Sequence, residues 1–160
     1  MPNDFDTGDV RKAIDFFRRG GALSALACKD VRHQLNVLHR HTSELIEQNE
    51  FAAAERICRI LTLYAPWTFE YWYIFGQCCQ AQASWKDAIY AYGRAAELRM
   101  DDPQVVWAAA ECFIQTGDRM RAIKALKAVQ TICRVTQAEP ELYCRAETML
   151  DKFSDTSASD

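Results

Sequence analysis

Three histidines, His33, His39 and His41, fall within nine positions of one another, and seven cysteines run from Cys28 to Cys144. These residue types ligate metals or form thiolate–imidazole pairs. Their spacing favours neither use. None of Cys28, Cys58, Cys78, Cys79, Cys112, Cys133 and Cys144 belongs to a C-x-x-C pair. Adjacent Cys78 and Cys79 leave a helix in different directions, which disfavours a zinc site built on them and a histidine. An odd number of cysteines among apolar neighbours reads instead as small buried hydrophobes in a reducing compartment. His33 and His41 read as surface or packing residues. No phosphate loop or nucleophile motif is present. The expectation is therefore a protein that is not an enzyme, with no catalytic residue, cofactor or metal.

The bulk properties narrow the classes further. A chain of 160 residues suggests one domain with a core that needs no staples. The formal charge is −3, from 19 basic and 22 acidic residues, which lacks the basic excess of a nucleic-acid binder. No apolar run approaches the roughly 18 residues of a membrane span. The start, MPNDFDTGDV, is neither a signal nor a basic transit peptide. A cytoplasmic protein without direct membrane association is expected.

The elements come from an internal repeat. Ala54, Ala88 and Ala122 are spaced by 34 residues and then 34 again. Twelve residues before them stand Thr42, Gly76 and Ala110, all small; four after stand Cys58, Tyr92 and Leu126; seven after stand Leu61, Ala95 and Val129. A 34-residue period with these slots is the tetratricopeptide (TPR) pattern, in which each repeat is an antiparallel pair of helices, A and B. Small residues let the two backbones approach, and the large ones fill the space beside them. The spacing predicts an all-α solenoid with pairs at about 31–48 and 51–64, 68–82 and 85–98, and 103–115 and 119–132, in repeats of about 35–68, 69–102 and 103–136. Asn49 and Gly117 suit a sharp turn with positive φ, whereas Ala83 does not, so the middle turn is expected to differ. Asp30, Asp102 and Asp118 are read as N-caps, and Ser84 with Asp87 as a capping box. Residues 9–19 read as an amphipathic helix, ALSALA as a short second one, and 140–153 as a final capping helix. Residues 1–8 and 154–160 read as disordered.

Three TPRs make a concave face lined by A helices, and a groove-facing stripe follows at i, i+3/i+4 and i+7. It comprises Asn36, His39, Ser43 and Ile46; Glu70, Tyr73, Gln77 and Gln80; and Gln104, Trp107, Glu111 and Ile114. Aromatic and aliphatic groups mixed with neutral amides suit an extended polypeptide with apolar anchors. The competing reading of Tyr73 and Trp107 is ordinary inter-helix packing, which weighs more at Trp107 than at Tyr73. The slots that hold lysines in carboxylate-clamping TPRs contain His39, Ser43, Tyr73, Ile74, Gln77, Gln104 and Ala108, so such a clamp is not expected. The run Arg119, Arg121, Lys124 and Lys127 reads as a solvated B-helix face.

Certain strings add a resemblance. FFRRGGALSAL, YWYIFGQCCQAQ with AIYAYGRAAEL, and WAAAECFIQTGD with AIKALKAV resemble the class II chaperones of type III secretion systems, the LcrH/SycD-type family. The likeness runs from about Ala13 to Lys152. FFRRGG, CCQAQ and WAAAEC look closest to the branch serving the Salmonella pathogenicity-island-two type of apparatus. The resemblance implies a bacterial cytosolic chaperone for hydrophobic translocator proteins, gripping an extended segment near their N-termini in the groove and able to self-associate as a homodimer. It implies contacts at His39, Ser43, Ile46, Tyr73, Gln77, Trp107 and Glu111. Members often carry tyrosine or phenylalanine where His39, Ser43 and Ile46 stand, which implies a different first pocket here. The competing reading is a TPR scaffold or regulatory adaptor joining soluble proteins.

Overall fold

The structure, a computed structural model, describes residues 29–155. The expected helices at 9–19 and ALSALA, and the disorder expected at 1–8, lie outside them. Seven helices follow one another: α1 (Lys29–Glu47), α2 (Phe51–Tyr64), α3 (Phe69–Ala81), α4 (Trp85–Leu98), α5 (Pro103–Gln115), α6 (Arg119–Thr136) and α7 (Pro140–Asp155). Consecutive helices pack on one another throughout, and α7 also touches α5. The architecture is an all-α TPR solenoid of three helix pairs with a seventh helix against the last pair.

The 34-residue slots explain the packing. Ala54, Ala88 and Ala122 are fully buried, as are Thr42 and Ala110 in the facing slot. Gly76 fills that slot in the middle pair, and a Cβ there would lie 2.5 Å from Cε1 of Tyr92. Tyr92, Leu126, Leu61 and Val129 fill the flanking space and are sealed from solvent. Each such aliphatic side chain contributes roughly 1.5–3 kcal/mol. Thr42 enters the core because its hydroxyl donates to the Leu38 carbonyl at 2.8 Å. The largest core cluster joins α2 to α5 through Cys58, Trp72, Phe75, Tyr92 and Val105; a second joins α5, α6 and α7 through Trp107, Leu126, Val129 and Leu142.

One turn is used three times. Asn49, Ala83 and Gly117 adopt φ of 61°, 56° and 74°. In each, the left-handed residue donates its N–H three residues back, to Ile46, Gln80 or Ile114, and the next residue donates five back, to Leu45, Cys79 or Phe113. This is the Schellman closure, which satisfies the last carbonyls of a helix. Ala83 thus departs from expectation: the middle turn matches its neighbours although its residue carries a Cβ, because the packing of α3 on α4 requires the same reversal.

The same closure corrects the expected capping box. The Ser84 side chain caps nothing. Its N–H, which Asp87 would accept from in a capping box, is already given to Cys79 O, and Asp87 pairs with Arg59 at 3.4 Å. Asp102 and Asp118 do cap α5 and α6, accepting from Gln104 N and Arg121 N at 3.0 Å. Asp30 lies inside α1, already helical at the first described residue, Lys29, so it is not an N-cap. Helix α6 runs four residues past its expected end, to Thr136, because Val129 and Cys133 continue its buried stripe against α7. Helix α7 reaches Asp155, two residues into the stretch expected to be disordered.

Candidate functional site

The concave side holds an open pocket of about 410 Å³ between α3, α5 and α7. Tyr73, Gln77 and Gln80 reach it from α3, and Gln104, Trp107 and Glu111 from α5. These six of the twelve stripe residues converge because each set repeats at three- or four-residue steps on its helix. The other six stand elsewhere. Asn36 is exposed, Ser43 is half-buried and hydrogen-bonded to the His39 carbonyl, and Ile46 packs against the α2–α5 core. His39 stands 5.3 Å from the Tyr71 ring, and its Nε2 is buried with no hydrogen-bond partner among the described residues. Glu70 pairs with Arg99 at 2.9 Å, and Ile114 is half-buried outside the pocket lining.

A chain of polar contacts forms the pocket floor. Tyr92 donates its hydroxyl to Gln80 Oε1 at 2.6 Å; Gln80 donates through Nε2 to Glu111 Oε2 at 3.3 Å; Trp107 donates its indole N–H to Glu111 Oε1 at 2.7 Å. The Arg145 guanidinium lies over Trp107, 4.5 Å from the ring centroid, with Nη2 3.9 Å from Glu111 Oε1. The lone carboxylate of the pocket is thereby occupied from three sides. Tyr73 stacks on Phe69 at 5.7 Å and leans on Tyr92 at 6.0 Å. Burial, then the nearby carboxylates of Asp102 and Glu111, raises the Tyr73 pKa, so its hydroxyl stays a neutral donor. Trp107 packs in the core beside α7 and also walls the pocket.

Four lining residues escaped the sequence stripe: Ala81 and Ala108, on the same A helices, and Tyr92 and Arg145, from other elements. Tyr92 belongs to a B helix and reaches the floor only because Gly76 leaves room for its ring. Arg145 comes from α7, beyond the third repeat, and brings a cation that no A-helix slot supplies. Its one sequence signal is its place on α7, one residue before the buried Ala146.

Elsewhere the chemistry stays quiet. Cys58, Cys78, Cys79, Cys112 and Cys133 are buried free thiols, and Cys144 is exposed. Cys78 and Cys79 are both buried because α3 is packed between α2 and α4. No cluster of three or more metal-ligating side chains occurs among the described residues. Nor is any helix there long and apolar enough to cross a membrane. His33 and His41 are exposed, as are Arg119, Arg121, Lys124 and Lys127 along α6.

No family model matches the chain. It is similar to the low calcium response locus protein H of Yersinia pestis, at 23% identity over 146 residues, covering 91% of this chain and 87% of that protein. Its fold superposes on a type III secretion complex from Aeromonas hydrophila with a TM-score of 0.82, at 23% identity, covering 94% of this chain and 99% of the other. It also matches the Yersinia enterocolitica translocator chaperone SycD bound to a peptide of the translocator YopD, with a TM-score of 0.71 at 22% identity, over 78% of this chain and 95% of the other. The chain has the fold of a type III secretion translocator chaperone. At these identities the likeness establishes the architecture.

Proposed function

We propose that the protein is a chaperone of the bacterial cytoplasm, a binding protein and not an enzyme, that holds an extended segment of a hydrophobic translocator. The observation that carries this reading is the convergence of Tyr73, Gln77, Gln80, Gln104, Trp107 and Glu111 on one open concave pocket. Aromatic walls accept apolar anchors, while glutamines can hydrogen-bond the backbone of an extended chain. Support comes from the similar SycD, whose structure contains a translocator peptide. A homodimer fits a further SycD structure with the same fold, which is described as an alternative dimer. The strings FFRRGG, CCQAQ and WAAAEC support service to an apparatus of the Salmonella pathogenicity-island-two type. His39, Ser43 and Ile46 would complete the grip at the first repeat.

Binding lowers the concentration of free, aggregation-prone translocator by mass action. Affinity co-purification from native cells, with bound chains identified by mass spectrometry, tests the reading. The expected result is a large polypeptide with long apolar segments, lost with Tyr73→Ala while helical content is retained. Recovery of only soluble, independently folded proteins would favour the adaptor reading. Loss of binding merely in step with unfolding of Tyr73→Ala would remove Tyr73 from the grip.

A further inference from the structure

The groove pocket does not end at Trp107. A second concavity of about 440 Å³ lies beyond it, between α5 and α7, and the two share Trp107, Glu111 and Arg145. On the far side, Cys144, Thr148, Met149 and Lys152 line it along one face of α7, a mostly apolar wall with one lysine at its end. Trp107 and Arg145 therefore form the divide between two adjoining hollows.

The chemistry of that divide is asymmetric. Trp107 is 8% exposed, and its one donor is used on Glu111. Glu111 in turn accepts from Trp107 and Gln80. Arg145 has an exposed side chain, at 61%, and is held by stacking on the indole. Its 3.9 Å approach to Glu111 is a loose ion pair, too long for a hydrogen bond, and its N–H groups make no hydrogen bond among the described residues. A guanidinium carries five donors in a planar fork that matches a carboxylate in two-point contact. Here the fork is positioned on an aromatic platform at the rim of both hollows, and the acid beside it already serves Trp107 and Gln80.

We propose that Arg145 is a specificity-determining residue: the segment held in the groove continues past Trp107 into the α5–α7 hollow and places an aspartate or glutamate side chain on the Arg145 guanidinium. This rests on the groove reading and adds to it a direction, a length and a charge. The segment carries apolar anchors for the Tyr73 side, an acidic residue at the divide, and a further apolar side chain toward Met149. A lysine at position 145 would keep the charge but lose the fork and much of the stacking.

The test is selection of a randomised peptide library, displayed with blocked C-termini, on the full-length protein. Wild type should enrich apolar anchors with an acidic residue at a constant offset. Arg145→Gln should keep the anchors and lose the acid, and Arg145→Lys should keep a weaker acid preference. A selected peptide, synthesised as its C-terminal amide, should bind Arg145→Gln roughly fivefold more weakly than wild type, the scale of an exposed ion pair. Its analogue with the acid replaced by the amide should bind both proteins equally. An acid preference unchanged by Arg145→Gln, selection without an acid, or binding that requires a free C-terminal carboxylate would each overturn the proposal. Selection that yields no peptides, or that ignores Tyr73→Ala, would overturn the groove reading itself, and so separates the two failures.

Discussion

At the scale of single residues, the middle pair concentrates the strictest demands. Gly76 and Tyr92 occupy space that cannot be shared, since a methyl on Gly76 would stand 2.5 Å from the tyrosine ring. Gly76→Ala should cost about 1–3 kcal/mol, read as a lower denaturation midpoint, because Tyr92 must leave its rotamer and its bond to Gln80. Ala88→Glu, in a slot with no exposure, should abolish folding by circular dichroism; an unchanged melt would mean the repeat slots are misplaced. Buried thiols set a pH limit. Burial first, then the acids Glu55 and Asp87, holds the Cys79 thiol up to about 12, and burial followed by Glu111 holds Cys112 up to about 11. With folded values raised above the ordinary 9.0, the folded state keeps protons that the unfolded chain releases. Their contribution is complete below about pH 9 and is lost as pH rises through about 11 and 12. Urea midpoints should be flat to about pH 9 and fall above it, less steeply in Cys79→Ala; a midpoint that rises there would contradict this burial.

At the scale of elements, the repeated Schellman turn invites comparison of its three residues. Asparagine and glycine tolerate the left-handed conformation, whereas alanine carries a strain of about 1–2 kcal/mol there. Ala83→Gly should therefore stabilise the protein by about 0.5–1 kcal/mol despite the added freedom of the unfolded chain, and Gly117→Ala should destabilise it by a similar amount. Thermal melts of the two variants check both signs. The helices were legible in the sequence because period and small-residue slots report the same geometry, and α2, α4 and α5 begin and end where the pattern places them. Ala83 was not legible, since residue preference is local while the reversal there is imposed by α3 against α4. Ser84 misled for a related reason: the S-x-x-D pattern cannot show that the serine N–H is already bound to the preceding helix. The groove was legible only where one helix face supplies it. Tyr73, Gln77, Trp107 and Glu111 follow from A-helix periodicity, whereas Tyr92 and Arg145 arrive from neighbouring elements and need three-dimensional placement.

At the scale of the whole molecule, α7 closes the array. Leu142 and Ala146 bury themselves against Leu126, Val129 and Trp107, so removing α7 would expose a contiguous apolar face. A chain truncated before Pro140 should melt at lower temperature and aggregate in sedimentation, while mutations confined to the exposed α6 cations Lys124 and Lys127 should do neither. A truncated chain that stays monodisperse with an unchanged melt would show that α7 is an appendage. The principal contacts run between helices adjacent in sequence, and the links one place further are sparse, among them α5 with α7, the Gln80–Glu111 bond between α3 and α5, and the Arg59–Asp87 pair between α2 and α4. An array coupled chiefly link by link has, among the described residues, only side-chain ties such as Gln80–Glu111 across its open side. Its curvature is then a soft coordinate, because small rotations at successive joints accumulate as they do along a coil spring. Such a body can tighten around a threaded chain turn by turn, and can give it up by peeling from one end rather than by letting go everywhere at once.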